Sequence, residues 1–387
     1  MSIKEVKIKY FLNSYSLFNM LIMNYTQSTT EKFTQLKNTN ADITILGIES
    51  SCDETSVAIV KNGREVLSNI ISSQIEIHRR FGGVVPEIAS RNHIMAINSV
   101  IDEALTKANL KLTDIDAIAV THAPGLLGAL IVGVSAAKSL SYALGVPLIK
   151  VNHIHAHVSA NYIEHKTLNP PFLAVVASGG HTIIANIKSF NDFEVLGQTT
   201  DDAIGEAFDK VARLLGLPYP GGPEIEKHAK LGQANIDFFK TKKGLKKDLN
   251  LSYSGLKTAV INYVNTSKQA LKNDDNFAFC TLHPELTNDI CASFQKTSVD
   301  ILTNAIKLAI EKNNSKAIVL AGGVAANSYL KKNLQSLCKE SDLSLKYPSS
   351  LLCTDNGAMI ASNAYFLIKD GLGLADLTLN AGATLKT

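Results

Sequence analysis

The stretch Ile43-Thr44-Ile45-Leu46-Gly47-Ile48-Glu49-Ser50-Ser51-Cys52-Asp53-Glu54-Thr55-Ser56-Val57-Ala58-Ile59-Val60 carries a β-branched apolar run that breaks at a short polar turn and then resumes. Such runs bounded by polar turn residues read as strands, here Ile43–Ile48 and Ser56–Val60. The same layout returns at Pro171. Phe172–Ala177 reads as a buried strand, Ser178-Gly179-Gly180 breaks it, and His181–Lys188 resumes as another strand. Two copies of strand, tight polar loop and strand predict a duplicated fold, each half offering one loop to a central cleft.

Working outward, Val66–Ile71 reads as a third strand, with Gly63 in the turn before it. Pro86–Ala108 repeats apolar residues at helical spacing (Ile88, Met95, Val100, Ile101, Ala104, Leu105, Ala108). Ala117–Thr121 and Pro147–Val151 are further strands, separated by a Gly- and Ala-rich helix. The later half completes the pattern with helix Leu282–Glu311, strand Ala317–Leu320, helix Val324–Cys338, strand Leu343–Tyr347 and helix Asp355–Ile368. Strands alternating with helices indicate an α/β chain with a largely parallel or mixed sheet. The expected division is 43–170 for the first lobe and 171–387 for the second.

A chain of 387 residues, 45% hydrophobic and 19% charged, buries a sizeable core and is not disordered for most of its length. Lys plus Arg is 38 against 35 for Asp plus Glu, a net charge of +3, which excludes an arginine-rich nucleic-acid binder but not a local basic patch. The 5 cysteines are scattered without a CxxC pair, which fits a reducing compartment. Residues 1–42 read as a flexible appendage: five lysines oppose Glu5, Glu31 and Asp42, and Arg64 is the first arginine. The apolar stretch Tyr10–Met23, broken by Asn13, Ser14, Ser16 and Asn19, is too short to span a membrane and has no signal-peptide layout. No other segment is expected to reach spanning length. The expected location is the cytoplasm, with the mitochondrial matrix as the alternative if this extension is a presequence.

Four clusters carry candidate chemistry. In Glu49–Ser56, small hydroxyl residues at a turn expose N–H groups suited to phosphate oxygens, while Asp53 and Glu54 suit a proton or a metal–phosphate complex; a plain polar hairpin is the competing reading. The Gly-rich turns at Ala177-Ser178-Gly179-Gly180-His181 and Ala321-Gly322-Gly323-Val324-Ala325-Ala326-Asn327 each follow an apolar strand and match neither GxGxxG nor the P-loop. One such turn also reads as an ordinary connection; two in a duplicated frame point to a nucleotide cleft. In Val151–His157, His153 and His157 lie four apart, so on a helix they share a face and can bind one metal ion, with Asp355 as a third ligand; a structural pair remains the alternative. Ile154 in place of Glu leaves an HExxH protease without its base, and His155 falls on another face. The fourth cluster places Asp202, Glu206 and Asp209 at i, i+4 and i+7, followed by a Pro-Gly-Gly-Pro turn that would bring Asp209 towards Glu226 around ribose hydroxyls; a solvated acidic face is the plain alternative. A lysine run at 240, 242, 243, 246 and 247, extended by Tyr253 and Lys257, reads as a solvated loop or as a phosphate-backbone contact.

Taken in order, Gly47–Thr55, Gly82-Gly83-Val84-Val85-Pro86-Glu87, His153-x-x-x-His157, Ser178–Thr182, Gly205–Lys210, Tyr219–Pro223, Ala321–Val324 and Thr354–Met359 closely resemble the TsaD family of tRNA N6-adenosine threonylcarbamoyltransferases, once labelled O-sialoglycoprotein endopeptidases. The resemblance covers the chain from about Ile43 onward. It implies the duplicated actin-like ATPase fold of actin, Hsp70 and the sugar kinases, with two lobes around a nucleotide cleft. It implies transfer of a threonylcarbamoyl group from threonylcarbamoyl-adenylate to the N6 amine of the adenosine 3′ of the anticodon, in tRNAs reading codons that begin with adenine. By the same resemblance, His153, His157 and Asp355 hold a divalent metal, iron(II) ahead of zinc. Val176, Ala177, Ser178, Gly179, Gly180, Asp209, Gly222, Glu226 and Asn327 hold the adenylate or an adenine nucleotide, with Glu226 standing where the family usually has Asp. Asp53 and Glu54 are the candidate catalytic residues. Implied partners are tRNA, TsaB-like and TsaE-like proteins in a bacterium, or a second copy of the chain, and no membrane. A metal-dependent protease or a small-molecule kinase of the same fold is the rival function.

Overall fold

The computed structural model describes residues 22–239, 249–272, 282–313 and 315–384. The lysines at 240–247 and Cys280 therefore lie outside the described residues. A helix, α1, over residues 22–38 precedes β1 (Thr44–Glu49), β2 (Glu54–Lys61), β3 (Glu65–Ser73), α2 (Ile75–Arg79), α3 (Pro86–Ala108), β4 (Ala117–Ala123), α4 (Leu127–Leu144) and β5 (Leu148–Asn152). The chain continues through α5 (His153–Glu164), β6 (Phe172–Ala177), β7 (Thr182–Ser189), β8 (Asp192–Gln198), α6 (Ile204–Leu214), α7 (Gly221–Ala229), α8 (Ser254–Lys272) and α9 (Pro284–Lys312). It closes with β9 (Ala317–Ala321), α10 (Ser328–Glu340), β10 (Ser344–Lys346), α11 (Ser350–Cys353), α12 (Gly357–Asp370) and β11 (Leu374–Ala375).

The duplication is visible in strand order. One sheet runs β11-β5-β4-β1-β2-β3 and the other β10-β9-β6-β7-β8. In the first, β1 is antiparallel to β2 and parallel to β4, which is parallel to β5. In the second, β6 is antiparallel to β7 and parallel to β9, which is parallel to β10. β1 and β6 thus hold equivalent central positions. Both are almost wholly buried, which explains why they read as continuous apolar runs rather than alternating ones.

The compact units do not follow the expected cut at 170. The first unit comprises the described residues up to Ser72, Ser90–His153, and those from Asn356 onward; the second comprises Ser73–Ala89 and Ile154–Asp355. The physical reason in the first unit is α12, which returns to cover β1. A Cβ on Gly47 would stand 2.4 Å from the Gly357 carbonyl oxygen, and the Gly357 N–H donates to Ser56 Oγ at 2.8 Å. Helix and strand meet backbone to backbone there. In the second unit, Arg79 Nε donates to the Tyr219 carbonyl at 3.0 Å, tying α2 to the turn before α7.

Residues 22–38 also correct the reading of a wholly flexible extension. Tyr25, Thr29 and Phe33, four apart, are buried along one face of α1. The Tyr25 hydroxyl lies 2.6 Å from Ser141 Oγ, and Lys32 donates at 2.7 Å to the carbonyl of Gly145, the left-handed cap of α4. Lys369 in turn donates to the carbonyls of Lys37 and Thr39 at 2.8 Å each.

Helix α4 corrects a second expectation. Its 18 residues, with mean hydropathy 1.5, are long and apolar enough to cross a membrane by length and composition. The apolarity has a local use: Ala129, Leu130, Gly133, Val134 and Ala137 are buried, and Val134 and Ala137 join the core around β1, β2 and β4. Several elements escaped the sequence reading, among them the long helix α8, the edge strand β8 and α7. β8 is an exposed edge strand with charged residues, and α7 starts at Gly221, inside the expected Pro-Gly-Gly-Pro turn.

Candidate functional site

In the first unit the loop after β1 is anchored on several sides. The Ser51 carbonyl accepts from the Leu126 N–H at 2.7 Å, and Ser50 Oγ donates to the Ala129 carbonyl at 3.0 Å. His93, fully buried on α3, lies 2.7 Å from Thr55 Oγ1 through Nδ1 and 2.9 Å from the Cys52 carbonyl through Nε2. Asp53 is 5% exposed in this loop and Glu54 is half-buried. The carboxylate of Glu49 is buried with them. Its Oε1 accepts from the Ser51 N–H and its Oε2 from Thr121 Oγ1, both at 2.5 Å, and Oε2 stands 3.1 Å from His153 Nδ1. Ser51 Oγ is 3.2 Å from the same nitrogen.

His153 opens α5 and His157 follows one turn later on the same face, as the spacing predicts. His157 Nε2 is 3.3 Å from Asp355 Oδ1. His153, His157 and Asp355 each offer a ligand atom, all within 4.8 Å of one another; both histidines are buried and Asp355 is half-buried. Two imidazoles and one carboxylate leave positions for water or substrate, a donor set that fits non-haem iron(II) or catalytic zinc. The residues present therefore fit a divalent metal. His155 stands apart, as expected: its ring stacks on Phe193 with centroids 4.3 Å apart, and burial pushes its pKa down to about 4. Ile154 is buried, so no carboxylate base accompanies the pair on α5 at that position.

In the second unit the glycine turns converge. A Cβ on Gly322, which has φ +87°, would stand 2.4 Å from the Ala177 carbonyl oxygen. One on Gly205 would stand 2.5 Å from the Ser178 carbonyl oxygen, to which the Gly205 N–H donates at 3.2 Å. The ends of β6 and β9 and the start of α6 therefore meet at backbone distance. Gly179, Gly180, Gly222 and Gly323 face open space instead, with nothing within 4 Å of where a Cβ would be. Val176 and Ala177 are buried in β6 and bring Ser178–Gly180 to that edge.

The remaining expected residues divide by role. Asp209 on α6 accepts the Gly221 N–H at 2.7 Å and fixes the start of α7. Glu226 on α7 bonds through Oε1 to the Ser328 N–H at 3.2 Å, the Ser328 hydroxyl and Lys230 Nζ at 2.9 Å. Burial alone would raise the Glu226 carboxyl, yet the Ser328 and Lys230 bonds hold it below its usual range. Asn327 caps α10 through the Leu330 N–H at 2.9 Å and donates to Gln295 Oε1 at 2.9 Å, so its side chain shapes the turn. The expected acidic face is neutralised. Asp202 precedes α6 and bonds Lys210 at 2.8 Å and Lys257 at 2.5 Å; burial opposes its ionisation, but the two ammonium groups hold its pKa low.

Sequence reasoning left Glu49, Thr121 and Gly205 without roles. The signal for Glu49 was present: a carboxylate ends an otherwise apolar, fully buried strand, and such a group requires partners. A cavity of about 640 Å³ at the β10 edge, lined by His165, Cys338, Lys346 and Tyr347 among others, contains none of the expected site residues.

Residues 65–362 match the model of the family described as TsaD: tRNA N6-adenosine threonylcarbamoyltransferase. A Clostridium novyi protein of that name is 52% identical over 347 residues, covering 89% of this chain and 98% of the relative. A Clostridium perfringens protein of the same name is 53% identical over 344 residues, covering 88% and 97%. Among solved structures, full-length HypF in its phosphate- and nucleotide-bound form superposes with a TM-score of 0.54 at 16% identity, covering 89% of this chain and 47% of that one. HypF from T. kodakarensis gives 0.54 at 15%, covering 87% and 49%. At that identity the likeness speaks for the fold alone, and it agrees with the duplicated actin-like architecture read from β1 and β6. With the fold, the two histidines on α5 and relatives matched almost end to end all in accord, the chain belongs to the TsaD family of tRNA N6-adenosine threonylcarbamoyltransferases.

Proposed function

We propose that this chain transfers a threonylcarbamoyl group from threonylcarbamoyl-adenylate to the N6 amine of the adenosine 3′ of the anticodon, in tRNAs reading codons that begin with adenine, and releases AMP. The observation that carries the reading is the triad of His153, His157 and Asp355, set on the motifs of a family whose members bear that name. The three residues would hold one divalent ion, iron(II) ahead of zinc, which when bound would supply Lewis-acid polarisation of a carbonyl oxygen.

The protein's own groups do the rest. Gly179, Gly180, Gly222 and Gly323 leave the backbone open to an adenylate, and their N–H groups suit its phosphate. Asp209 holds the start of α7, where Gly222 sits, through Gly221, and Glu226 holds the start of α10 through Ser328. Asp53, in the anchored loop after β1, and Glu54, which opens β2, are the groups for orienting the carbamoyl moiety and moving the proton of the attacking amine. A closed, dry site protects a reactive adenylate from water. Arg213, which lines a cavity of about 400 Å³, and the lysines at 240–247 are the proposed phosphate contacts for tRNA.

TsaB-like and TsaE-like proteins are the proposed partners, with self-association as the alternative. The proposed compartment is the cytoplasm, supported by Cys52, Cys291, Cys338 and Cys353, none of which is in a disulfide. The test is reconstitution with tRNA, threonine, bicarbonate, ATP and an adenylate-forming enzyme, followed by digestion and mass analysis of the nucleosides. The expected result is threonylcarbamoyladenosine; its absence with every component present contradicts the reading.

A further inference from the structure

We propose that Glu49 is the positioning residue for His153: it holds the imidazole in the tautomer that carries its proton on Nδ1, so that Nε2 is the nitrogen presented to a metal. The inference rests on the metal reading given above and goes beyond it, since Glu49 has no role there. Glu49 is fully buried at the end of β1. Each carboxylate oxygen already accepts one bond, Oε1 from the Ser51 N–H and Oε2 from Thr121 Oγ1, which fixes the plane of the group. Oε2 then faces His153 Nδ1 at 3.1 Å. A carboxylate is an acceptor, so a bare nitrogen lone pair at that distance, away from water, would be repelled; an N–H is attracted. Ser51 Oγ at 3.2 Å can accept from the same proton. The opposite ring nitrogen is left for the ligand set that His153 shares with His157 and Asp355.

Carboxylates behind metal-bound histidines fix ring orientation, and losing one costs roughly 10- to 100-fold in metal affinity. Glu49 is placed to do this before any metal arrives, because its bonds to Ser51 and Thr121 do not depend on one. The side chain joins three separate pieces of the first unit: the loop after β1, strand β4 and the start of α5.

The experiment has two readouts. The first is the ring tautomer of His153 in metal-free, ¹⁵N-labelled wild-type protein, from long-range ¹H–¹⁵N correlation assigned with His153→Gln. The expected signature is a protonated Nδ1; a bare Nδ1 with the proton on Nε2 overturns the proposal whatever the metal does. The second is cobalt(II) affinity, followed by its visible bands in competition with a chelator, for wild type, Glu49→Gln and Thr121→Val. Glu49→Gln is expected to lose about 10- to 100-fold in affinity, and Thr121→Val a smaller amount in the same direction. If Glu49→Gln does not fold, Thr121→Val and the wild-type tautomer still decide the matter. Unchanged affinity in a folded Glu49→Gln overturns the proposal. A wild-type chain that binds no cobalt(II), zinc(II) or iron(II) contradicts the metal reading instead, and the tautomer still judges Glu49 separately.

Discussion

The loop after β1 and the loop after β6 occupy the same place in the duplicated topology and have opposite chemistry. The first, Glu49 to Asp53, is largely buried and densely bonded, with Glu49 bonded to Ser51 and Thr121 and facing His153, which also meets Ser51. The second, Ser178 to Gly180, ends in two exposed glycines with open space around them. A buried polar loop suits the fixed placement of a catalytic side chain. An open glycine loop suits the close approach of a ligand to the backbone. On the proposed reading, one hairpin of the duplicated pair supports a side-chain site and the other offers a backbone cradle.

The largest expected effect strikes the side-chain half. Metal polarisation contributes several kcal/mol to such a transfer, and each ~1.4 kcal/mol is tenfold in rate. His153→Ala or Asp355→Ala should therefore lower turnover by about 10³-fold, read as threonylcarbamoyladenosine formed per minute. Activity within a few-fold of wild type would break the contrast between the loops.

Glycines separate packing from binding. Gly47→Ala would drive a Cβ against Gly357 and Ala361, and Gly322→Ala adds a strained positive φ to a clash with Ala177. Each is expected to destabilise its unit by about 2–4 kcal/mol in denaturant unfolding. Gly179→Ala meets nothing within 4 Å, so its stability should move by less than about 0.5 kcal/mol. Its adenylate affinity should fall by about tenfold if backbone approach matters there, and calorimetry with a non-hydrolysable adenylate measures that. Unchanged affinity would remove the loop after β6 from the binding account.

Those glycines also show what the sequence made legible. Both strand–loop–strand copies were readable because buried central strands are continuous apolar runs, and α3 was readable from its helical period. Glu49 and Gly205 were not, because their partners Thr121 and Ser178 come from remote segments. α1 carried a signal in Tyr25, Thr29 and Phe33 that its surrounding Asn, Thr and Ser obscured. The return of α12 to β1 rests on a glycine pair, Gly47 with Gly357, separated by most of the chain. β8 went unread because an exposed edge strand lacks an apolar period.

Smaller effects sharpen the edges of the comparison. Tyr25→Phe removes the buried bond to Ser141 and is expected to cost about 1 kcal/mol, lowering the melting temperature of the first unit without touching turnover. Glu226 gives a pH test in the second. Its folded pKa lies below the ordinary carboxylate value, so the unfolded chain takes up a proton first as the solution is acidified. Its contribution is complete above the unfolded value near 4.5 and is lost as pH falls through the lower folded one. Wild type minus Glu226→Gln, measured by denaturant midpoints, should shrink over that acid range. A difference that grew on acidification would contradict the bonds to Ser328 and Lys230.

The central claim is that the two histidines of α5 and Asp355 form the reactive centre of a tRNA-modifying transferase. A single-turnover reaction tests it most directly: metal-loaded wild type and His157→Ala, each with threonylcarbamoyl-adenylate, partner proteins and an unmodified tRNA, are stopped and their nucleosides weighed by mass spectrometry. The account predicts threonylcarbamoyladenosine from wild type and background from the variant. Equal product from both, or none from wild type, would contradict it.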